Sequence, residues 1–298
     1  MSSRRVIGRP SICGTRLDPL RRRRVSAYRA GPGLDEALDV CRRLSAHGLA
    51  CTIGYTAAPD EAPRAVADVH LDAFERLSAQ GIDGHVSVKL SALDFAPGLL
   101  AELDAAAARS GRPLHVDALA PETADATWRL LRGAPRAGEV GIALPGRWTR
   151  SEHDTELAEQ LGLRVRVVKG QWADPSAAEV DPAEGFLRVV DRLRGNSRGV
   201  AIATHDARLL AESLSRLTAS GTPCTAELLL GMPFRAPARV AQRLGVPIRV
   251  YVPYGHSGAP YGVTDIRGNP VAAWWLLQDL VLGKDKMWLS IRRSRPKR

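Results

Sequence analysis

The sequence predicts an α/β protein of one domain, a (βα)8 TIM-type barrel preceded by an N-terminal arm. Three observations carry that prediction. Eight short apolar runs alternate with longer stretches whose apolar residues recur three and four apart, the pattern of strands followed by amphipathic helices. The runs read as apolar on both faces, as expected for parallel strands covered on each side. The first run continues as IGYTAAPDE rather than the G-x-G-x-x-G turn that a doubly wound open sheet would show there. A chain of 298 residues is also an ordinary length for a single barrel.

The strands are expected at LACTIGY (49–55), HVSVKLSA (85–92), PLHVDAL (113–119), EVGIAL (139–144), LRVRVVKG (163–170), GVAIAT (199–204), TPCTAELLL (222–230) and PIRVYVPYG (247–255). Between them PRAVADVHLDAFERLSAQG, PETADATWRLLRG and DARLLAESLSRLTASG read as helices that begin at Pro or Asp and stop at Gly. Residues 1–32 are expected as a basic arm, 33–290 as the barrel and 291–298 as a basic tail.

Composition narrows the function. Apolar residues are 45% of the chain, enough for a large core, and no run reaches the roughly 18 residues of a membrane span. MSSRRVIGRPSICG lacks the apolar stretch of a secretory signal, so the expected location is the cytoplasm. Cys13, Cys41, Cys51 and Cys224 form no C-x-x-C pair and read as reduced core residues, with neither a zinc site nor a disulfide framework. No H-x-H or H-x-x-x-H pair suggests a metal centre. The net charge of +10 gathers at Arg21–Arg24 and in the tail from Arg292. These ends are either solvated or attracted to anionic lipid or a phosphate-bearing cofactor. With no aromatic interleaved as a stacking platform, nucleic acid is the weakest partner.

In such barrels chemistry sits at the carboxyl ends of the strands. Those ends read Lys89, Asp117, Arg166 with Lys169, Thr204-His205-Asp206, Glu227, and Tyr251 with Tyr254. Burying so many polar groups is costly unless they are paired or serve a ligand. Each residue has a plainer reading: Lys89 can snorkel to solvent, Asp117 can cap a helix, and His205 can be a satisfied rim histidine. Arg166 is more telling, because alternation sends it to the same face as Val168, and the basic pair runs into Gly170, where backbone can approach an anion closely. Lys89 or Lys169 would also suit Schiff-base chemistry, although an anion held beside Arg166 would keep Lys169 protonated.

Taken in order, VSVKLSAL (86–93), HVDA (115–118), VRVVKGQWADP (165–175), IATHDARL (202–209), ELLLGMP (227–233) and YVPYG (251–255) resemble the FAD-dependent proline dehydrogenase family over about residues 45–283. The resemblance implies a distorted barrel, with hydride passing from the carbon beside an amine nitrogen to flavin N5. It also implies electron transfer onward to a quinone or another acceptor, with contact at the inner face of the membrane through the basic ends as a further option. By the same resemblance Arg166 lies near the flavin N5. Lys169, Gly170, Trp172, Thr204, His205, Asp206 and Glu227 are expected to hold FAD. Lys89 is expected to bind the substrate carboxylate, with Asp117, Leu229, Tyr251 and Tyr261 lining the pocket.

Departures accompany the resemblance. Thr264 and Asp265 stand where the family carries an Arg-Arg clamp for the carboxylate, and the acidic residue expected just after the first strand is Ala or Thr. Arg267, one turn after Thr264, is a candidate to restore the clamp. Pro145 replaces a flavin-contacting glutamine, Asp206 an asparagine and Glu227 a glutamine. Asp265 would repel a carboxylate and attract an amine. The expected function is therefore oxidation of proline or a proline-like cyclic amine. The alternatives are a flavoenzyme of specialised metabolism acting on another amine, and a barrel that has lost flavin and serves as a binding protein.

Overall fold

A computed structural model describes residues 29–256 other than 119, 134–137, 176 and 179. Its strands are β1 (Ala50–Thr56), β2 (Gly84–Val88), β3 (Leu114–Val116), β4 (Val140–Pro145), β5 (Arg164–Val168), β6 (Val200–Ala203), β7 (Cys224–Leu229) and β8 (Ile248–Gly255). They close into one parallel barrel in sequence order, with β1 pairing β8 from Ala50↔Arg249 to Thr56↔Gly255. All eight predicted runs are strands.

Among the described residues the helices are α1 (Leu34–Ser45), α2 (Pro63–Ala79), α3 (Pro97–Ser110), α4 (Ala124–Gly133), α5 (Ser151–Gln160), α6 (Pro182–Arg192), α7 (Ala207–Ala219) and α8 (Arg235–Arg243). Proline opens α2, α3 and α6, where its missing N–H leaves no bond unmade. Aspartates cap two helices: Asp181 accepts from the N–H groups of Ala183 and Glu184, and Asp206 from those of Arg208 and Leu209. The stretch after β8, and with it Tyr261, Thr264, Asp265, Arg267 and the basic tail, lies outside the described residues, as do residues 1–28 of the arm.

The barrel corrects one expectation. The strands are not apolar on both faces. Ile53, Val86, Val88, Val116, Ile142, Val165, Val167, Ile202, Leu228 and Val250 join the helices in the hydrophobic core. The alternate positions hold Thr52, Ser87, His115, Arg166 and Glu227, all buried and polar. Period-two alternation sends these inward, where branched apolar side chains usually fill a barrel. The short runs hid this, because Arg166 or His115 among valines barely interrupts an apolar segment.

Residues 29–31 end the arm against the barrel rim. The Ala30 N–H donates to the Pro253 carbonyl at 2.8 Å, Arg29 Nη1 to the Gly255 carbonyl at 2.7 Å, and the Gly255 N–H to the Gly31 carbonyl at 3.0 Å. Gly255 has φ 101°, and a Cβ there would sit 2.5 Å from the Thr56 carbonyl oxygen. Cys41 and Cys51 are buried free thiols and Cys224 is partly buried, while Cys13 is outside the described residues.

A tighter approach joins α6 to the loop after β4. A Cβ on Gly185 would lie 1.9 Å from the Gly146 carbonyl oxygen. Backbone on both sides leaves no flexible side chain to yield. Gly185→Ala should therefore lower unfolding stability by roughly 1–3 kcal/mol, the usual cost of overpacking. Urea denaturation checks this, and an unchanged midpoint would contradict the packing described.

Candidate active site

Five strands bring their polar residues to one point inside the carboxyl half of the barrel. Arg166 of β5 is 3% exposed. Its Nε donates to Glu227 Oε2 on β7 at 2.8 Å, and its Nη1 donates to Asp117 Oδ1, just past β3, at 2.8 Å. The Asp117 carboxylate also accepts from Ser87 Oγ on β2 at 2.6 Å and from the Tyr251 hydroxyl on β8 at 2.7 Å. The Arg166 guanidinium lies 5.2 Å from the centre of the Tyr251 ring. Lys89 Nζ donates to the Tyr55 carbonyl at 3.1 Å and stands 3.7 Å from Asp117 Oδ2.

Burial alone would raise the Asp117 pKa, but Lys89, Arg166 and the hydrogen bonds from Ser87 and Tyr251 outweigh it and hold the carboxylate below its usual range. Burial opposes the Arg166 charge, and Glu227 with Asp117 more than restores it. Tyr251 is pushed well above the ordinary tyrosine value by burial first and then by Asp117, so its hydroxyl stays a donor. Two carboxylates, one guanidinium and one ammonium make a site of nearly balanced charge. Arg166 Nη2 and Glu227 Oε1 are buried without a hydrogen-bond partner among the described residues.

Tyr251 is seated by Gly54, which carries no signal of its role in the sequence. A Cβ on Gly54 of β1 would come within 2.0 Å of the Tyr251 hydroxyl oxygen. Ser87 was missed as well. Its signal was the polar alternation in HVSV, which an apolar reading absorbed. A third missed residue is Glu61. It accepts from the Tyr55 hydroxyl at 2.8 Å and the Ala58 N–H at 2.9 Å, setting a carboxylate at the β1 end of the mouth six residues after Tyr55. Burial and Glu61 together push the Tyr55 hydroxyl up to about 12.

The remaining predicted residues lie around β5 to β7. Lys169 and Asp206 face each other at 3.6 Å, both partly exposed, and Asp206 also caps α7. Gly170 has φ 89°, and its open face is covered by Pro145, whose Cβ would be 2.8 Å from a Cβ there. Loops after β4 and β5 are zipped together: the Gly146 N–H donates to the Val168 carbonyl at 2.7 Å and Trp148 Nε1 to the Trp172 carbonyl at 2.9 Å. The Trp172 side is 43% exposed. Thr204 is buried and accepts from the Asp206 N–H at 3.2 Å.

His205 uses both ring nitrogens on protein. Nε2 accepts from the Leu229 N–H at 2.9 Å, and Nδ1 faces the Pro233 carbonyl at 3.1 Å, which fixes the tautomer with the proton on Nδ1. It pins β6 to β7 and fixes Leu229 at the rim. Burial lowers its pKa to about 4. His70, His85 and His115 are lowered by burial too. A buried imidazole of lowered pKa is neutral when folded and protonated when unfolded, so its stabilisation is present above the unfolded value and lost as pH falls. Unfolding stability should therefore drop from pH 6.5 toward about 4, by up to roughly 1.4 kcal/mol per pH unit for each histidine. Denaturation curves across that window check it, with His205→Gln reducing the slope. A flat profile there would contradict the neutral assignment.

No protein-family profile matches the chain. Among curated proteins it is similar to proline dehydrogenase of Deinococcus radiodurans, 25% identical over 276 residues that cover 85% of this chain and 89% of that one. It is 24% identical to proline dehydrogenase 1 of Bacillus subtilis strain 168 over 287 residues, covering 90% and 92%. Among solved structures, proline utilization A of Bdellovibrio bacteriovorus, inactivated by N-propargylglycine, superposes with a TM-score of 0.67 at 18% identity over 92% of this chain. Proline utilization A of Corynebacterium freiburgense superposes with a TM-score of 0.63 at 20% identity, also over 92%. This chain spans about a third of each of those longer chains, 34% and 32%, and the likeness is one of fold.

Proposed function

We propose that this divergent member of the proline dehydrogenase family is a flavin-dependent dehydrogenase that oxidises the carbon beside the nitrogen of proline or a proline-like cyclic amine. The observation that carries the reading is the Arg166–Asp117–Tyr251–Lys89 cluster, a preorganised polar group at the barrel mouth with a guanidinium nitrogen still to be satisfied.

FAD supplies the hydride acceptor when bound. The residues present fit it. Lys169 is half-exposed and only loosely paired, which suits a dianionic pyrophosphate. Trp172 offers an exposed indole in the same loop, and Ala203 leaves a small, partly open position at the end of β6 for a flat ring system. Lys169, Gly170 and Trp172 would hold the group from β5, with Thr204, Asp206 and the face of His205 from β6. Arg166 would hold the reacting end, and Glu227 would act through Arg166. Lys89 and Tyr251 would orient the substrate, because hydride transfer depends on position and dryness more than on a strong base. The electron acceptor would be a quinone or a similar carrier, met at the inner face of the membrane through the basic ends. No helix among the described residues is long and apolar enough to cross a membrane.

Glu227 favours a second reading of the substrate. A carboxylate pairing Arg166 from β7, with Asp117 already on its other side, leaves little positive charge for a substrate carboxylate. Thr264 and Asp265 in the sequence act in the same direction. A cyclic amine without a carboxylate therefore fits at least as well as proline. Steady-state turnover of L-proline and of pyrrolidine separates the two. Lys89→Ala should lower kcat/KM for carboxylated substrates by about tenfold or more, the worth of a charge-assisted hydrogen bond, and leave pyrrolidine nearly unaffected. Equal loss on both would show that Lys89 serves the fold through Tyr55 instead.

A further inference from the structure

Below the Arg166 layer the barrel holds a second polar group, joined to the first only through Glu227. His85 of β2, His115 of β3, Arg164 of β5, Thr225 and Glu227 of β7 and Arg249 of β8 line one small, partly open cavity. We infer that this cavity is a binding site for a small monatomic anion of the halide class, taken up together with a proton on His115.

Size comes first. The cavity offers about 20 Å³, above the ~10–15 Å³ that one water needs, so a monatomic anion has room. The lining then selects the charge. Arg249 and Arg164 reach the cavity and Arg166 stands over it. Their carboxylate partners are disposed unevenly. Asp83 holds Arg249 at 3.0 Å and Glu139 holds Arg164 at 3.1 Å from the exposed rim, where solvent screens them. Of the acidic residues only Glu227 lines the cavity itself, and its Oε2 is already taken by Arg166 at 2.8 Å.

His115 supplies the unmet donor. It is 5% exposed, and its Nε2 has no hydrogen-bond partner among the described residues. Gly141 opposite makes room for the ring, since a Cβ there would lie 2.4 Å from His115 Nδ1. Burial first, and then Arg166, His85, Arg164 and Arg249, keep this imidazole neutral. An anion placed among these groups offsets that field and lets the ring take a proton from solvent.

Proton-linked binding has a signature that ordinary salt effects lack: halide affinity weakens by about tenfold for each pH unit of increase. Thermal stability of the full chain in sodium chloride, against sodium gluconate at equal ionic strength, should show a chloride increment that is larger at about pH 6 than at about pH 8. His115→Gln should remove that difference. Crystals of the unmodified chain soaked in sodium bromide should show an anomalous peak beside His115 Nε2 and Arg249, which decides the matter even where the variant does not fold. Water alone in the cavity, or a halide increment that does not vary with pH, would overturn the inference.

Discussion

Arg166→Met should cost the fold roughly 3–5 kcal/mol, the usual penalty for removing one partner of a buried ion pair, and should abolish turnover. The cost falls mainly on Glu227. Asp117 keeps Ser87, Tyr251 and Lys89 when the guanidinium is gone, whereas Glu227 has, among the described residues, its hydrogen bond to Arg166 alone. A carboxylate that is 3% exposed then has no compensation for its lost hydration. The double variant Arg166→Met with Glu227→Met should recover much of the stability, because two apolar groups of similar volume replace the pair, while activity stays lost. Urea denaturation of the two singles and the double closes the cycle. If the two single costs simply add, Arg166 and Glu227 are not coupled as described.

Gly54→Ala should reduce kcat/KM by more than about tenfold while sparing most of the stability. The added methyl would meet the Tyr251 hydroxyl oxygen at 2.0 Å and the ring carbon that bears it at 2.5 Å. The ring must leave its seat, and its 2.7 Å hydrogen bond to Asp117 goes with it. Asp117 then loses one of the donors that orient it toward Arg166, so the defect passes through three residues without touching the hydrophobic core. Tyr251→Phe separates the contributions, since it removes the hydrogen bond and leaves the ring in place. Gly54→Ala should be the more damaging of the two. Equal activity of Gly54→Ala and the unmodified chain would show that the position of Tyr251 is unimportant.

Much of the fold was legible because strand and helix periods differ and the runs are long enough to show it. All eight strands came from apolar segments, and the residues named at their carboxyl ends do converge: Arg166, Asp117, Lys89, Tyr251 and Glu227 are one connected network. The pairing within that network was not legible. That Glu227 turns onto Arg166 had no local signal, because which inward side chain meets which depends on barrel stagger rather than on local sequence. His205 read as a rim residue with a cofactor role, and its two nitrogens are spent on Leu229 and Pro233. Gly54 and Ser87 escaped notice for a simpler reason. A glycine or serine in a strand carries no charge to mark it, and its importance lies in what it makes room for. Tyr261, Thr264, Asp265 and Arg267 lie outside the described residues.

This barrel is expected to bind flavin and to reduce it at the expense of a cyclic amine. The direct measurement is an anaerobic visible spectrum of the purified protein after incubation with FAD and removal of the excess, recorded before and after L-proline or pyrrolidine is added. The predicted result is a bound-flavin spectrum that bleaches with one or both amines. A chain that retains no flavin after incubation, or bound flavin that neither amine bleaches, would contradict the account.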